Sequence, residues 1–300
     1  MADRRLQVFF AVAKQGSFTR AAESLFMTQP AVTFQIKQLE EEFNCRLFER
    51  QHQKIALTPA GELVLEYASK ILALSDEMQG RLGELTGEMG GSLAIGASTT
   101  LGEGLLEDIL GDFNAQHPQV RLQLVVGNTQ DIARRTVEGL VDVAFVEGPV
   151  PEKLVFSEFV GETRLMMICD PKHPLAGRKS VAPAELVEYE FIAREPGSGV
   201  RAVIEAYFVS SGVTGDRVKA VMELGSPATL KGVVKSGIGL SVLPGYAVAG
   251  EVARGELVAV PLEPMLLCPL YVLLPKERFR SRTISAFTDF VKRRLQAARS

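Results

Sequence analysis

Apolar residues along the chain follow two regimes: a helical period up to about position 89, then short β-rich runs alternating with helical ones. Leu6, Phe9, Phe10 and Ala13 stand at i, i+3, i+4 and i+7, which predicts a first amphipathic helix. Gly16 can stop it, and Ser17 can cap a second, short helix through Ala21, Ala22 and Leu25. Thr28 can cap a third, in which Pro30 is tolerated because first-turn amides lack intrahelical acceptors. Val32, Ile36, Leu39 and Phe43, spaced four, three and four, predict its buried face. The opposite face carries Pro30, Thr33, Phe34, Lys37, Gln38 and Glu41, with Gln29 and Gln35 on the flanks. An ordinary solvated face would be rich in Glu and Lys, whereas the first half of this one is uncharged and bears amides, a hydroxyl and one aromatic ring. Such groups read base edges in a DNA major groove, and Lys37 can meet a phosphate.

A longer helix follows. Thr58-Pro59 is an N-cap with the residue favoured at the first helical position, and Glu62 sits in the first turn. Leu63, Tyr67, Ile71, Leu74, Met78, Leu82, Leu85 and Met89 form one stripe, whose seven intervals over 26 residues fit a straight helix better than a heptad coiled coil. A helix reaching about Thr86 is roughly 42 Å long, too long for a compact neighbour to cover, so its stripe asks for a partner. A second copy of the chain is the economical one. Gly87, Gly90 and Gly91 read as a hinge.

Beyond the hinge, candidate strands are Leu93–Gly96, Val120–Val126, Val141–Val146, Arg164–Cys169, Phe191–Ala193, Lys219–Glu223, Leu240–Leu243 and Leu270–Leu274. Helical patterns lie between most of them, which predicts an α/β sheet with parallel strands. The strand-to-helix loops hold the candidate chemistry: Ser98-Thr99-Thr100, Asn128-Thr129, Gly197-Ser198-Gly199 and Ser226-Pro227. Ligands of open α/β sheets bind at the carboxyl ends of strands, where helix N-termini present free amides. Hydroxyl-bearing helix starts gathered there suit a small anion, and Arg201 could supply a full positive charge. Each Ser or Thr taken singly is explained by capping; their recurrence at successive strand ends favours a site. Glu147 and Glu195, beside those loops, complete the candidate effector set.

Composition narrows the classes. The chain is 46% hydrophobic and 23% charged, with no apolar run long enough for a membrane span, and its first residues predict no signal peptide. Cys45, Cys169 and Cys268, and His52, His117 and His173, are scattered, which predicts no disulfide framework, no metal site and a reducing cytoplasm. Net charge is −3, but residues 1–60 carry eight Lys/Arg against six Asp/Glu, a head of +2 on a body of −5. That asymmetry suits a small DNA-binding module without establishing one.

The stretch Phe9-Phe10-Ala11-Val12-Ala13, Gly16 to Ala22, Thr28 to Thr33, Leu39-Glu40, Leu47 to Arg50 and Leu57 to Gly61 resembles the winged helix-turn-helix of LysR-type transcriptional regulators in order and spacing. Phe113 to Val120, Glu138 to Ala144 and Val234 to Pro244 resemble their sensor domains, so the likeness covers essentially the whole chain. The resemblance implies an all-α winged helix-turn-helix over 1–58, a linker and dimerisation helix with hinge over 59–90, and an effector-binding domain over 91–300. That domain would have the two-lobed α/β fold of type 2 periplasmic binding proteins, lobe I at 91–162 and 267–300 and lobe II at 163–266. The stripe Ile284, Phe287, Val291 and Leu295 would return to the first lobe. Carried over residue by residue, Gln29, Pro30, Thr33 and Gln35 meet the bases. Thr28, Lys37 and Arg50 hold the backbone, with Arg50, His52 and Lys54 on a wing near Arg50–Leu57. Phe34 departs from the basic or polar residue many members place there; it either folds back on the domain or packs on a thymine methyl.

The implied partners are double-stranded DNA, a small-molecule effector, a second subunit through the linker helix, a homotetramer and RNA polymerase, with no membrane and no cofactor. Effector binding would shift the spacing of DNA heads across two half-sites. The hydroxyl-rich first loop and Val32–Leu39 are similar to the sulfur-metabolism, CysL/CysB-like branch, which makes sulfate or sulfite the first candidate effector and an organic carboxylate the alternative. Two rival classes fare worse. A solute-binding protein has no use for a helix-turn-helix. An enzyme would need more than Ser98, Ser198 and Glu195, because no His can be placed beside a serine and no P-loop or G-x-G-x-x-G opens a helix.

Overall fold

A computed structural model of the chain describes residues 3–51, 54–86, 90–150, 155–214, 217–218, 220–276 and 280–297. It divides into two compact units, residues 1–89 with 277–282 and residues 90–276 with 283–300.

The first unit holds α1 (Arg4–Gln15), α2 (Phe18–Ser24), α3 (Gln29–Glu42), a hairpin of β1 (Phe48–Gln51) and β2 (Lys54–Leu57), and α4 (Pro59–Thr86). The helix ends follow the local sequence. Gly16 closes α1 in the left-handed region, Ser17 Oγ accepts the amide of Arg20 at 3.3 Å, and Thr28 Oγ1 that of Ala31 at 3.4 Å. Val8, Phe9, Val12, Ala21, Ala22, Val32, Ile36, Leu39 and Leu47 form one core with Ala68 of α4. Phe43 does not join them: α3 ends at Glu42, the period lapses, and this ring is 43% exposed.

Two polar contacts pin the hairpin and the root of α4. Glu40 Oε1 accepts the amides of Leu47 at 2.7 Å and Phe48 at 3.3 Å. Thr58 Oγ1 donates to Arg46 O at 2.7 Å and accepts the Gly61 amide at 3.0 Å. A Cβ on Gly61 would lie 2.1 Å from Leu47 O, so only glycine permits this approach. Along α4, Leu63, Tyr67, Ile71, Leu74, Met78 and Leu82 remain 44–63% exposed in the single chain. Leu85 and Met89, expected to extend the stripe, lie where side chains are not described.

The second unit contains β3 (Gly91–Ser98), α5 (Thr99–Gly104), α6 (Leu106–Gln116), β4 (Val120–Gly127), α7 (Thr129–Val137), β5 (Val143–Glu147), β6 (Phe156–Cys169) and α8 (Pro183–Leu186). It continues with β7 (Phe191–Arg194), α9 (Gly199–Ser210), β8 (Ala220–Leu224), α10 (Pro227–Lys235), β9 (Ser241–Pro244), α11 (Gly245–Ala253), β10 (Val258–Pro261), β11 (Leu267–Leu274) and α12 (Arg282–Ala297). The main sheet runs β10-β6-β11-β5-β3-β4, with β9 also on β6, and β7 pairs with β8.

The expectation of parallel strands holds for β3 with β4 and β5, and for β7 with β8. It fails elsewhere, because β5–β11, β11–β6, β6–β9 and β6–β10 are all antiparallel. The expected strand Arg164–Cys169 is the end of the 14-residue β6. Its first half pairs with β11 and its second with β9 and β10, so this one strand runs through both lobes. That first half carries Ser157, Glu158, Glu162 and Thr163, and its low hydrophobicity hid it. One lobe is built around β3, β4, β5 and β11, with Ile284, Phe287, Val291 and Leu295 of α12 buried on it and Phe287 against Phe113 and Phe145. The other gathers Leu165, Met167, Phe191, Phe208, Leu240 and Val242 into its own core.

Candidate functional sites

The outer face of α3 is the candidate DNA interface. Gln29, Pro30, Phe34 and Lys37 are exposed and Thr33 and Gln35 half-buried. Gln29 Nε2 donates to Thr33 Oγ1 at 2.8 Å, which holds two candidate base readers in one arrangement. Phe34, at 57% exposure, does not fold back on the domain. Thr28 is exposed at the N-cap, where its Oγ1 accepts the Ala31 amide. Arg50 and Lys54 are strand residues of the wing, opposite Ile55 and Gln51 in the β1–β2 register; His52 lies outside the described residues.

The candidate effector site is built where β3, β5, β7 and α11 converge. Ser98 ends β3 at the N-cap of α5, yet its hydroxyl caps nothing and instead reaches Glu147 Oε2 at 3.3 Å. Glu147 ends β5 and is 1% exposed, and Tyr246 Oη donates to its Oε1 at 2.5 Å. Burial raises this carboxyl above the ordinary range, against the pull of Tyr246, Arg194, Ser98 and Thr100. Burial and the adjacent Glu147 push the Tyr246 phenol well up, so tyrosine is the proton donor of the pair. Arg194 ends β7. Its Nη1 donates to Thr100 Oγ1 at 2.8 Å in the opposite lobe, and Nη2 to Gly225 O at 3.2 Å. Nε and Nη2 meet Glu195 at 2.9 and 3.1 Å.

Of the residues the sequence nominated, Ser98, Thr100, Glu147 and Glu195 thus share one network. The others do different work. Thr99 Oγ1 donates to Gly127 O, tying the ends of β3 and β4 together. Asn128, Ser198 and Ser226 cap α7, α9 and α10 with their side chains, and Pro227 is buried in the first turn of α10. Asn128 Nδ2 also donates to Pro196 O at 3.3 Å, and the Gln130 amide to Gly197 O at 3.1 Å. Thr129 Oγ1 donates to Glu147 O at 3.0 Å and accepts the Gly199 amide at 3.2 Å. At this crossing Gly148, with φ of 76°, lies back to back with Gly199, whose Cβ would fall 1.7 Å from Glu147 O. Arg201 is committed elsewhere, to Glu205 and Glu223 at 2.7 Å each and to Arg194 O at 2.8 Å. With the nominated Thr129, Gly197 and Ser198, and with Arg134 and Ala202, it lines a concavity of about 660 Å³ between α7 and α9, which Ser98, Thr100, Glu147 and Arg194 do not line.

Sequence reasoning missed Arg194 and Tyr246. A charged residue closing the apolar run Phe191-Ile192-Ala193 at a strand's carboxyl end was the available signal for the first. Tyr246 follows Pro244-Gly245 with no comparable mark. Among the described residues no group of side chains is arranged to hold a metal ion, and no helix is long and apolar enough to cross a membrane.

A capped recognition helix with a wing, joined in one chain to a two-lobed domain whose lobes meet through a buried polar network, defines a DNA-binding regulator with an effector-binding domain. The family model for bacterial regulatory helix-turn-helix proteins of the lysR family matches residues 4–62, and that for the LysR substrate binding domain matches residues 86–296. The chain belongs to the LysR-type family of transcription regulators, which are not enzymes. It is 35% identical over 288 residues to a protein of Cyanidioschyzon merolae named "Probable RuBisCO transcriptional regulator", covering 95% of this chain and 94% of that one. Among solved structures it resembles the regulatory domain of CcmR from Synechocystis in complex with 2-PG, at 27% identity and a TM-score of 0.62, over 68% of this chain and 96% of that one. An OxyR variant from Corynebacterium glutamicum shares the fold at 21% identity and a TM-score of 0.66, over 98% and 92% of the two chains.

Proposed function

We propose that this regulator responds to a small organic anion held between its lobes by the Arg194 guanidinium. The observation that carries the reading is the buried Arg194 at the carboxyl end of β7, positioned by Thr100 and Gly225. A pre-oriented guanidinium is the side chain best matched to a planar or tetrahedral oxyanion. CcmR, a regulator solved with 2-PG, supports an organic acid over the sulfate or sulfite suggested by the hydroxyl-rich loop. Relatives named as RuBisCO regulators support target genes in carbon fixation.

On the DNA, Gln29, Pro30, Thr33, Phe34 and Gln35 read bases while Thr28, Lys37, Arg50 and Lys54 hold the backbone. The exposed α4 stripe supports a homodimer through the linker helix, two of which make a homotetramer that engages RNA polymerase in the cytoplasm. The working division is 1–58, 59–90 and 91–300, with lobes at 91–162 plus 267–300 and at 163–266.

Calorimetric titration of the full chain with 2-PG, sulfate, sulfite and a carboxylate panel tests the anion reading. An organic acid is expected to bind, and Arg194→Gln to weaken it about tenfold or more, because a charge-assisted hydrogen bond contributes about 1.5–3 kcal/mol. Binding of neutral or cationic ligands alone would overturn it.

A further inference from the structure

Glu195 occupies the edge of Arg194 that an oxyanion would take. Two of the guanidinium's contacts position it: Nη1 on Thr100 Oγ1 and Nη2 on Gly225 O. Its remaining contact is the parallel Nε and Nη2 pair on the two oxygens of Glu195, the bidentate geometry that recognises carboxylate and phosphate. The Arg194 side chain is 2% exposed and that of Glu195 is 20%, so the carboxylate lies on the accessible side of the pair. Adjacent residues on a strand point to opposite faces. Glu195 escapes that rule because β7 ends at Arg194 and the chain turns through Pro196 and Gly197, the latter at φ of 87°.

We propose that Glu195 is a built-in competitor: a tethered carboxylate that holds Arg194 in the unliganded protein and is displaced by the anionic group of the effector. This inference rests on the anion reading of the cleft. One oxyanion replaces another on the same two N–H groups, Thr100 and Gly225 keep the guanidinium in place, and the Glu195 side chain swings into solvent without a change of backbone. A tethered group acts at a high effective concentration, so the apparent affinity is the intrinsic one reduced by the fraction of molecules whose Arg194 edge is open. Glu195 thereby sets the effector concentration at which the regulator responds. The ligand class it admits is an acid offering two oxygens to one guanidinium, and neutral isosteres cannot displace it.

The test is calorimetry of the full chain with 2-PG and with sulfate, comparing wild type, Glu195→Gln and Glu195→Asp. Gln keeps the shape but not the charge, and Asp keeps the charge but loses bidentate reach. Both variants are expected to bind the anion more tightly, Glu195→Gln by about tenfold or more and Glu195→Asp by less. Should wild type bind and both variants bind equally or more weakly, Glu195 is a bystander or a ligand contact. The inference then falls while the anion reading stands. If no form binds either probe or any member of the carboxylate panel, the anion reading fails and takes the inference with it. The two variants are independent, so a folding defect in one leaves the other to decide.

Discussion

Glu147 shows what burial does to a single carboxyl. Its raised pKa makes the folded state hold a proton that the unfolded chain releases at lower pH. The stability tied to that group is therefore fully present below the ordinary value of 4.5 and is lost as pH rises through the folded value. Glu147→Gln retains an acceptor for the Tyr246 hydroxyl and does not titrate. The difference in unfolding temperature between variant and wild type should move in the variant's favour as pH is raised from 4.5 to about 8, and a difference flat with pH would contradict this. At the other end of the chain, Phe34 is exposed where a polar reader is usual. Phe34→Ala should cost ~1–3 kcal/mol of binding at one thymine of the operator, and replacing that thymine by deoxyuridine should remove the penalty. A loss spread evenly over all positions would rule out methyl recognition. Ser98 and Thr100 were legible because hydroxyls at the end of an apolar strand run stand out. Arg194 carried a local mark as the charge closing an apolar run, but its pairing with Thr100, 94 residues away, leaves no local trace.

At the scale of elements, caps and periods carried most of the information. Ser17, Thr28 and Thr58 cap their helices as their spacing implies, because capping depends only on residues within one turn. Phe43 broke its pattern because α3 stops one residue earlier, a boundary that periodicity alone does not fix. The sheet was less legible: β10 is a four-residue edge strand ending in proline, and the direction of β6 depends on which distant strands it meets. Of the α4 stripe, Leu63, Tyr67, Ile71, Leu74, Met78 and Leu82 are exposed, which the helical period anticipated. Replacing Leu74 and Met78 together by Glu should reduce the mass measured by light scattering to a lower multiple of 32.6 kDa than wild type shows. An unchanged mass would mean that assembly does not depend on this stripe.

Across the whole molecule, charge was a poor guide and site geometry a good one. The chain is acidic overall and its DNA-binding head only mildly basic, yet the recognition helix follows from capping and spacing, and the wing from the family resemblance. The effector-binding domain is held across its lobes by short polar links: Arg194 to Thr100, Tyr246 to Glu147, and Gly199 to Thr129. An anion that enters this network changes what joins the lobes, and an allosteric coupling of about 1–3 kcal/mol shifts DNA affinity by roughly 5–150-fold. The most direct test is the affinity of the full-length protein for a DNA site selected from a random-sequence pool, measured with and without saturating 2-PG or another bound organic acid. Wild type should shift by that amount and Arg194→Gln not at all; a wild type indifferent to every organic acid, or a variant that responds as wild type does, would overturn effector control through Arg194.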